Sequence, residues 1–419
     1  MLLIPSGFLL SLIGERESYK NEGLKEVSSK WGSTQNVGGP VIIVPIVSET
    51  VVKDTKVSSV VDYVKILPSN LVVTGGVVPE VRYRGIYEYV LYSSKINFAG
   101  NFDFSGVGNL KLYNGNLKWE DATLQVGISD MIGIKELVNL KWGNTEYSFS
   151  PGVKNNDVFS SGLATSIKFS ERPNDGKYPF SFDLNIKGSQ ELTFLPLGKE
   201  TIVNLDSNWG NPSFSGAFLP EERLITQDNF KAKWKVLDLN RNYPQEWLGQ
   251  INGQEITESK FGINFLIPID AYKQTNRAVK YMIMFVGLTF IIFFFAEIMN
   301  KRKIHPVQYL LVGFSLVIFY LLLISISEHV SFYKAYFISS FFTVLVITLY
   351  SLSVFRARLF SIIVGTELVA LYGFLFVLLL NQDYSLLIGS CGIFIVISLI
   401  MYFTRNIDWY GLDLKDNSK

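Results

Sequence analysis

Between Tyr281 and Thr404 the sequence runs through five apolar stretches, 281–299, 307–326, 333–353, 359–380 and 385–403, separated by short polar joints. Each is about 20 residues long, which at ~1.5 Å per residue covers roughly 30 Å of hydrocarbon. No water is available there to the backbone, so each stretch must fold as a helix that satisfies its own hydrogen bonds. The C-terminal third is therefore read as a bundle of membrane-crossing helices.

The joints give the bundle a direction. Lys301-Arg302-Lys303 follows the first stretch, Arg356 and Arg358 the third, and Arg405 the fifth; the alternate joints carry Glu328, His329, Lys334 and Asp383. Basic joints stay in the cytoplasm. The first, third and fifth helices then run inward, the tail 405–419 is cytoplasmic, and the preceding domain lies outside, in a periplasm where the cell has two membranes. Export of that domain needs a signal. Met1–Ile13 is apolar but short, with no basic leader and no small-residue cleavage site. It reads as the exit end of an N-terminal transmembrane helix whose start is missing, with a short interfacial helix as the alternative.

Residues 14–280 differ in character. Segment 15–30 (ERESYKNEGLKEVSSK) reads as a polar helix continuing off the membrane helix. Strand-like runs follow at 41–47, 71–75, 86–92, 96–104, 124–128, 163–169, 180–187, 192–196, 202–205 and 231–239. They are rich in β-branched and aromatic residues, and Gly, Asn, Pro and Asp clusters punctuate them. Asp175-Gly176 suits a hairpin turn. No strand–long helix–strand rhythm appears, so a parallel α/β sheet is excluded. The fold class is an α+β membrane protein: a large extramembrane β-rich, sandwich-like domain, with room for two sublobes, plus a C-terminal transmembrane bundle over 281–404.

The chain carries 38 basic and 37 acidic side chains, and residues 281–419 hold nine and seven of them. Neither part is basic enough to bind nucleic acid. The single cysteine, Cys391, excludes an intrachain disulfide and a cysteine metal site. His305 and His329 flank one predicted helix on opposite sides, too far apart to share a metal, and residues 14–280 have no histidine for a triad or zinc site. Gly38-Gly39, Gly75-Gly76 and Gly106-x-Gly108 lack the phosphate-loop pattern and read as turns. No cofactor is expected.

Ionisable groups inside the bundle carry the functional candidates, because an isolated charge in lipid is costly. Glu367 lies about eight residues into its helix, roughly 12 Å deep. It would handle a proton, ion or ligand, or else pair with a snorkelling Lys or Arg or a Tyr hydroxyl. Glu297 sits near the cytoplasmic mouth, where headgroup water or Lys301 at i+4 would satisfy it. Glu328 and His329 form an outer-face patch. In the outside domain, Arg82-Tyr83-Arg84-Gly85 and Arg241-Asn242-Tyr243-Pro244 would grip an anion or serve as a turn and a packed Arg. Trp209, Trp234 and Trp247 read as core or membrane-rim aromatics.

Several runs resemble the CreD family of inner-membrane proteins: Trp31-Gly32 with Gln35 and Gly39-Pro40; Arg84-Gly85-Ile86-Tyr87-Glu88; the segment from Asn211-Pro212 to Phe218-Leu219-Pro220; Leu239 to Gln245; Phe261-Gly262; Arg277 with Lys280-Tyr281; Leu288-Thr289-Phe290 with Glu297; Ile304-His305-Pro306 through Gly313; Ser325-x-Ser327-Glu328-His329 with Ala335-Tyr336; and Asp408-Trp409-Tyr410. They cover nearly the whole chain in order. The resemblance implies one N-terminal span, a large periplasmic β-rich domain and five C-terminal spans; the start of this chain departs from that layout. It further implies links to tolerance of E-type colicins, envelope integrity and control by a carbon-source-responsive two-component system, with no enzymatic reaction and no catalytic residues. The leading expectation is a non-enzymatic protein whose outer domain binds or senses an envelope component. Its partners would be membrane lipids and other envelope proteins, peptidoglycan or outer-membrane components. The alternative is an ion- or proton-coupled transporter or channel using Glu367. An integral-membrane enzyme would need Glu328, His329 and Arg241 to converge.

Overall fold

The structure, a computed structural model, describes residues 3–52, 56–105, 116–154, 156–169, 173, 176–251, 253–265, 267, 271–300, 303–381 and 384–405. Asp175, Gly106 to Gly108, Lys301, Arg302, Asp383 and the Asp408-Trp409-Tyr410 run lie outside them. The chain forms two compact units, one of residues 20–268 and one combining 1–19 with 269–419.

Helix α1 (Leu3–Trp31) contributes to both units. Its second half mixes the helix formers Glu22, Leu24, Lys25 and Glu26 with weaker ones such as Gly23, and is reinforced by Lys30 on Glu26 at 3.1 Å and Tyr19 on Glu15 at 3.0 Å, both at i,i+4. The helix stops at Gly32, whose φ of +132° suits glycine and whose N–H bonds the Ser28 carbonyl.

The rest of the first unit is two packed β-sheets. The ten-stranded sheet is centred on strand Gln35–Val52, which pairs with Lys56–Ile66, Thr123–Ile128 and, in parallel, Glu191–Phe194. The eight-stranded sheet runs in the order Glu222–Ile225, Phe230–Leu237, Glu200–Ser207, Asn70–Arg84, Tyr87–Asp103, Lys177–Ser189, Asn139–Trp142 and Thr145–Ser148. Its strands alternate buried and open positions, as in Phe230–Leu237, so one face packs and the other is polar. Between the sheets lies one apolar core joined by cross-sheet aromatics: Phe98 with Phe194, Tyr92 with Phe265, and Trp234 with Phe214 and Phe261.

The ten-stranded sheet is covered on its other face too. Ile42 and Val44 enter the inter-sheet core, while Val41 and Ile43 enter a second core with Leu67, Phe159, Tyr243, Trp247 and Ile256. Burial on both faces is why 41–47 reads as an unbroken apolar run instead of an alternation. It also corrects the two-sublobe expectation: the unit is one sandwich with a second core behind one sheet. Trp234 and Trp247 are core residues, and Trp209 packs partly buried against the main core.

A short helix, α2 (Gly253–Glu258), completes this unit. The other holds α3 (Ala271–Lys280), α4 (Met282–Asn300), α5 (Pro306–Ser327), α6 (Phe332–Phe355), α7 (Arg358–Leu380) and α8 (Ser385–Thr404). Among the described residues, α4 to α8 are the five helices long and apolar enough to cross a membrane. Helix α7 touches α4, α6 and α8, and α5 packs on α6. Small polar side chains mark the buried seams: Thr289, Ser339, Thr343, Ser351 and Ser361. Such residues let helix backbones approach closely in lipid. Gly365 is an instance, since a Cβ there would lie 2.9 Å from Thr348 Oγ1 of α6.

Candidate functional site

The candidates in the helical unit fall into three separate places. Glu367 of α7 turns toward α4. Its Oε1 accepts a long bond from the Thr289 hydroxyl at 3.5 Å, and its Oε2 is buried with no hydrogen-bond partner among the described residues. The expected partners, a snorkelling base or a Tyr hydroxyl, are thus replaced by one threonine, because Glu367 sits on the α4-facing side of α7 at the level of Thr289. The Tyr336 hydroxyl donates instead to the Tyr372 carbonyl at 2.6 Å, linking α6 to α7.

Glu297, near the end of α4, is saturated. It accepts from the Ile304 N–H at 2.9 Å and from the Tyr309 hydroxyl at 2.7 Å. Both carboxylate oxygens of Glu297 thus have partners on the chain, and the expected partner Lys301 lies outside the described residues. These bonds tie the end of α4 to the start of α5. His305 caps that helix: its Nδ1 accepts from the Val307 N–H at 3.3 Å, while Gln308 Oε1 accepts the His305 N–H at 3.0 Å, with Pro306 in the first turn. This is a reciprocal cap, so the Ile304-His305-Pro306-Val307-Gln308 run has a local structural cause. Glu297 and Tyr309 are half-buried, and a hydrogen bond to a charged group contributes ~1.5–3 kcal/mol. Tyr309→Phe is expected to lower the unfolding temperature of the helical unit by several degrees, checked by melting in detergent, with Glu297→Ala costing more.

At the other end of α5, Glu328 accepts from the Tyr272 hydroxyl of α3 at 3.0 Å and lies 3.8 Å from Arg16 Nε of α1. His329 is exposed beside it. Glu328 is therefore drawn inward to α1 and α3, while His329 points away. Arg277 of α3 donates to the Leu378 carbonyl near the end of α7 at 3.3 Å, a favourable place for a cation at a helix C-terminus.

In the β unit both arginine motifs bind the protein itself. Arg84 pairs with Glu26 of α1. Hydrogen bonds from Lys30 and then Arg84 hold the Glu26 carboxyl below its ordinary range. Lys187 Nζ sits 4.0 Å from the Trp31 ring centroid and Arg82 6.0 Å away. Gln35 completes this joint by donating to the Asp130 and Lys187 carbonyls at 2.9 and 3.0 Å. The Arg82–Arg84 segment thus fixes the last turn of α1. Arg241 is buried: its Nη1 donates to the Tyr243 carbonyl at 2.6 Å, its Nη2 to Gln245, and its guanidinium lies 4.3 Å from the Tyr243 ring centroid. Gln245 donates onward to the Pro68 carbonyl at 2.6 Å. The Arg241 Nε is buried with no hydrogen-bond partner among the described residues. Among the described residues no group of three His, Cys, Asp or Glu side chains could hold a metal.

One buried charge was not singled out from the sequence. Lys65 is fully enclosed in the second core, its Nζ 2.7 Å from both Asp157 Oδ2 and the Gly249 carbonyl. Its partner is 92 residues away in the chain, so no local pattern announces it.

Comparison with known proteins fits the motifs to this architecture. The family described as "Inner membrane protein CreD" matches residues 1–410. The chain belongs to the CreD family. Inner membrane protein CreD of Escherichia coli (strain K12) is 30% identical over 419 residues, covering 99% of this chain and 92% of that protein. With five helices suited to a bilayer, this CreD-family chain is a multi-pass inner-membrane protein. In it the Leu239–Gln245 motif is the Arg241 clamp, and Leu288-Thr289-Phe290 supplies the hydroxyl that donates to Glu367.

Proposed function

We propose that this protein supports cell-envelope integrity without catalysing a reaction, its β unit held on the periplasmic side to bind or sense an envelope component. The observation that carries this reading is the seam at the end of α1. A helix whose first half is apolar runs unbroken into the sandwich and is fixed there by Arg84, Tyr89 and Lys187. Tyr89 donates to the Lys20 carbonyl at 2.9 Å, one more bond in the same seam. Side chains so occupied serve to transmit a load between helix and sheet, not to turn over a substrate. The basic joints after α4, α6 and α8 favour the cytoplasm for those ends. Compartment reporters inserted near Lys303 and near Gly143 are expected to report opposite sides of the membrane. A deletion strain should lose survival under envelope stress and regain it with the whole gene. Reporters on the same side, or full survival of the deletion strain, would reject the reading.

A second reading rests on Glu367 Oε2. A buried carboxyl oxygen with no partner is costly to maintain, and that favours a group which takes up and gives back a proton or cation.

A further inference from the structure

The open face of the eight-stranded sheet carries a ladder of polar side chains running across the strands. Strand registers align Glu222 with Lys233, Lys233 with Asn204, Asn204 with Thr74, Thr74 with Asn97, and Asn97 with Asp183. Six neighbouring strands contribute one residue each. At ~4.8 Å per strand the ladder is about 24 Å long. It is not a flat solvated face. Two depressions of about 620 and 580 Å³ lie along it, and Thr74 forms part of the wall of both. Each also has a strongly exposed leucine in its lining, Leu137 at 95% and Leu224 at 63%.

The chemistry of the lining excludes most occupants. The two depressions hold five basic and five acidic side chains, a balance that gives a nucleic acid or other polyanion no net attraction. The inner strands beneath are paired on both sides within the sheet, and only the end strand Glu222–Ile225 has an open edge. The ladder crosses the strands instead of following that edge, so strand addition would not cover it. The first depression exposes mainly amides, hydroxyls and charged groups, which would be left unpaired against an acyl chain running the length of the ladder. What remains is an extended, uncharged or zwitterionic chain rich in hydroxyls and amides, with small apolar faces for the leucines. That is the surface of a glycan: equatorial hydroxyls for Asn97, Asn204, Thr74 and Asp183, and ring C–H faces for Leu137 and Leu224.

We propose that this groove binds a neutral or zwitterionic glycan strand, laid across the sheet from Asp183 to Glu222. This rests on the reading of the β unit as a binder of an envelope component and names the class of that component. The Asn97–Asp183 bond of 2.8 Å and the Lys233–Glu222 bond of 2.7 Å hold the ends of the ladder in place before a ligand arrives, which reduces the ordering cost of binding.

The test uses full-length protein in lipid nanodiscs free of sugar detergents, titrated calorimetrically with N-acetylglucosamine oligomers of two to six units and with cello-oligosaccharides. Saturable binding is expected, tightening on the order of tenfold from the dimer to the pentamer as the oligomer fills the groove, about 1.4 kcal/mol. Thr74→Tyr, which fills the point where the depressions meet, and Asn97→Ala should each weaken binding at least about tenfold with unchanged thermal unfolding; Arg84→Ala, off the groove, should not. Absence of saturable binding to every oligomer, or binding that Thr74→Tyr and Asn97→Ala leave intact, overturns the proposal. Failure of the underlying reading is separable. Reporters that place the β unit in the cytoplasm would defeat that reading even if oligomers bind in vitro. Envelope fragments that co-sediment equally with wild type and Thr74→Tyr would spare it while defeating the groove.

Discussion

Replacing Lys65 by alanine is expected to destabilise the β unit by ~3–5 kcal/mol, the cost of breaking a buried ion pair from one side. The residue lies on strand Lys56–Ile66, opposite Ile43 on one neighbour and Trp247 on the other. It points into the second core, where no part of it reaches water. Its ammonium donates to the Asp157 carboxylate and to the Gly249 carbonyl. Alanine strips both of that donor in a place where little solvent can replace it, and leaves a cavity where three methylenes and the ammonium stood. The asymmetry of buried pairs supplies the control. Removing both charges with residues of similar volume is often neutral, so Lys65→Met combined with Asp157→Leu should recover most of the loss. Urea unfolding of the full-length protein, followed by tryptophan fluorescence with the two units fitted as separate transitions, measures it. A loss below about 1 kcal/mol for Lys65→Ala would show that the pair is solvated in solution.

That prediction also marks where sequence reading ends. The strand 41–47 was legible because burial on both faces leaves a run of six apolar residues around Pro45. The crossing helices were legible to within one or two residues because lipid imposes both length and composition. The segments 86–92 and 96–104 were read apart at Ser93-Ser94-Lys95, yet they form one strand, Tyr87–Asp103. Ser94 donates to the Ile186 carbonyl inside the sheet, and Lys95 faces the groove, so the polar run is an interior serine beside an outward lysine. The burial of Lys65, the bonds of Glu297 and the ladder from Glu222 to Asp183 were not legible. Lys65 and the ladder depend on which distant strands become neighbours, and one sequence carries no record of register. The partners of Glu297 are only 7 and 12 residues along but depend on how α5 meets α4.

Glu367 presents the sharpest conflict between stability and role. Glu367→Leu removes a carboxyl held inside the bundle by a long bond to Thr289, its other oxygen having no hydrogen-bond partner among the described residues. A charged side chain at mid-membrane costs ~2.5–3.5 kcal/mol, so the leucine variant should unfold no more easily than wild type, and up to that much less easily. Glu367→Gln keeps an oxygen for the Thr289 hydroxyl but can no longer exchange a proton. If the carboxyl serves as a proton or cation site, both variants fold and both leave a deletion strain as sensitive to envelope stress as the empty vector. In proteoliposomes a pH step should then drive proton entry through wild type, with at least a tenfold loss in Glu367→Gln, about 1.4 kcal/mol in the barrier. A carboxyl retained only for packing gives the opposite pattern: full rescue of survival by both variants, and equal flux or none. Thr289→Val separates the two cases further. It removes the one described hydrogen bond to Glu367 without touching the carboxyl, so a transport site should be shifted in its pH response and keep its flux, whereas a packing role predicts only a change in melting.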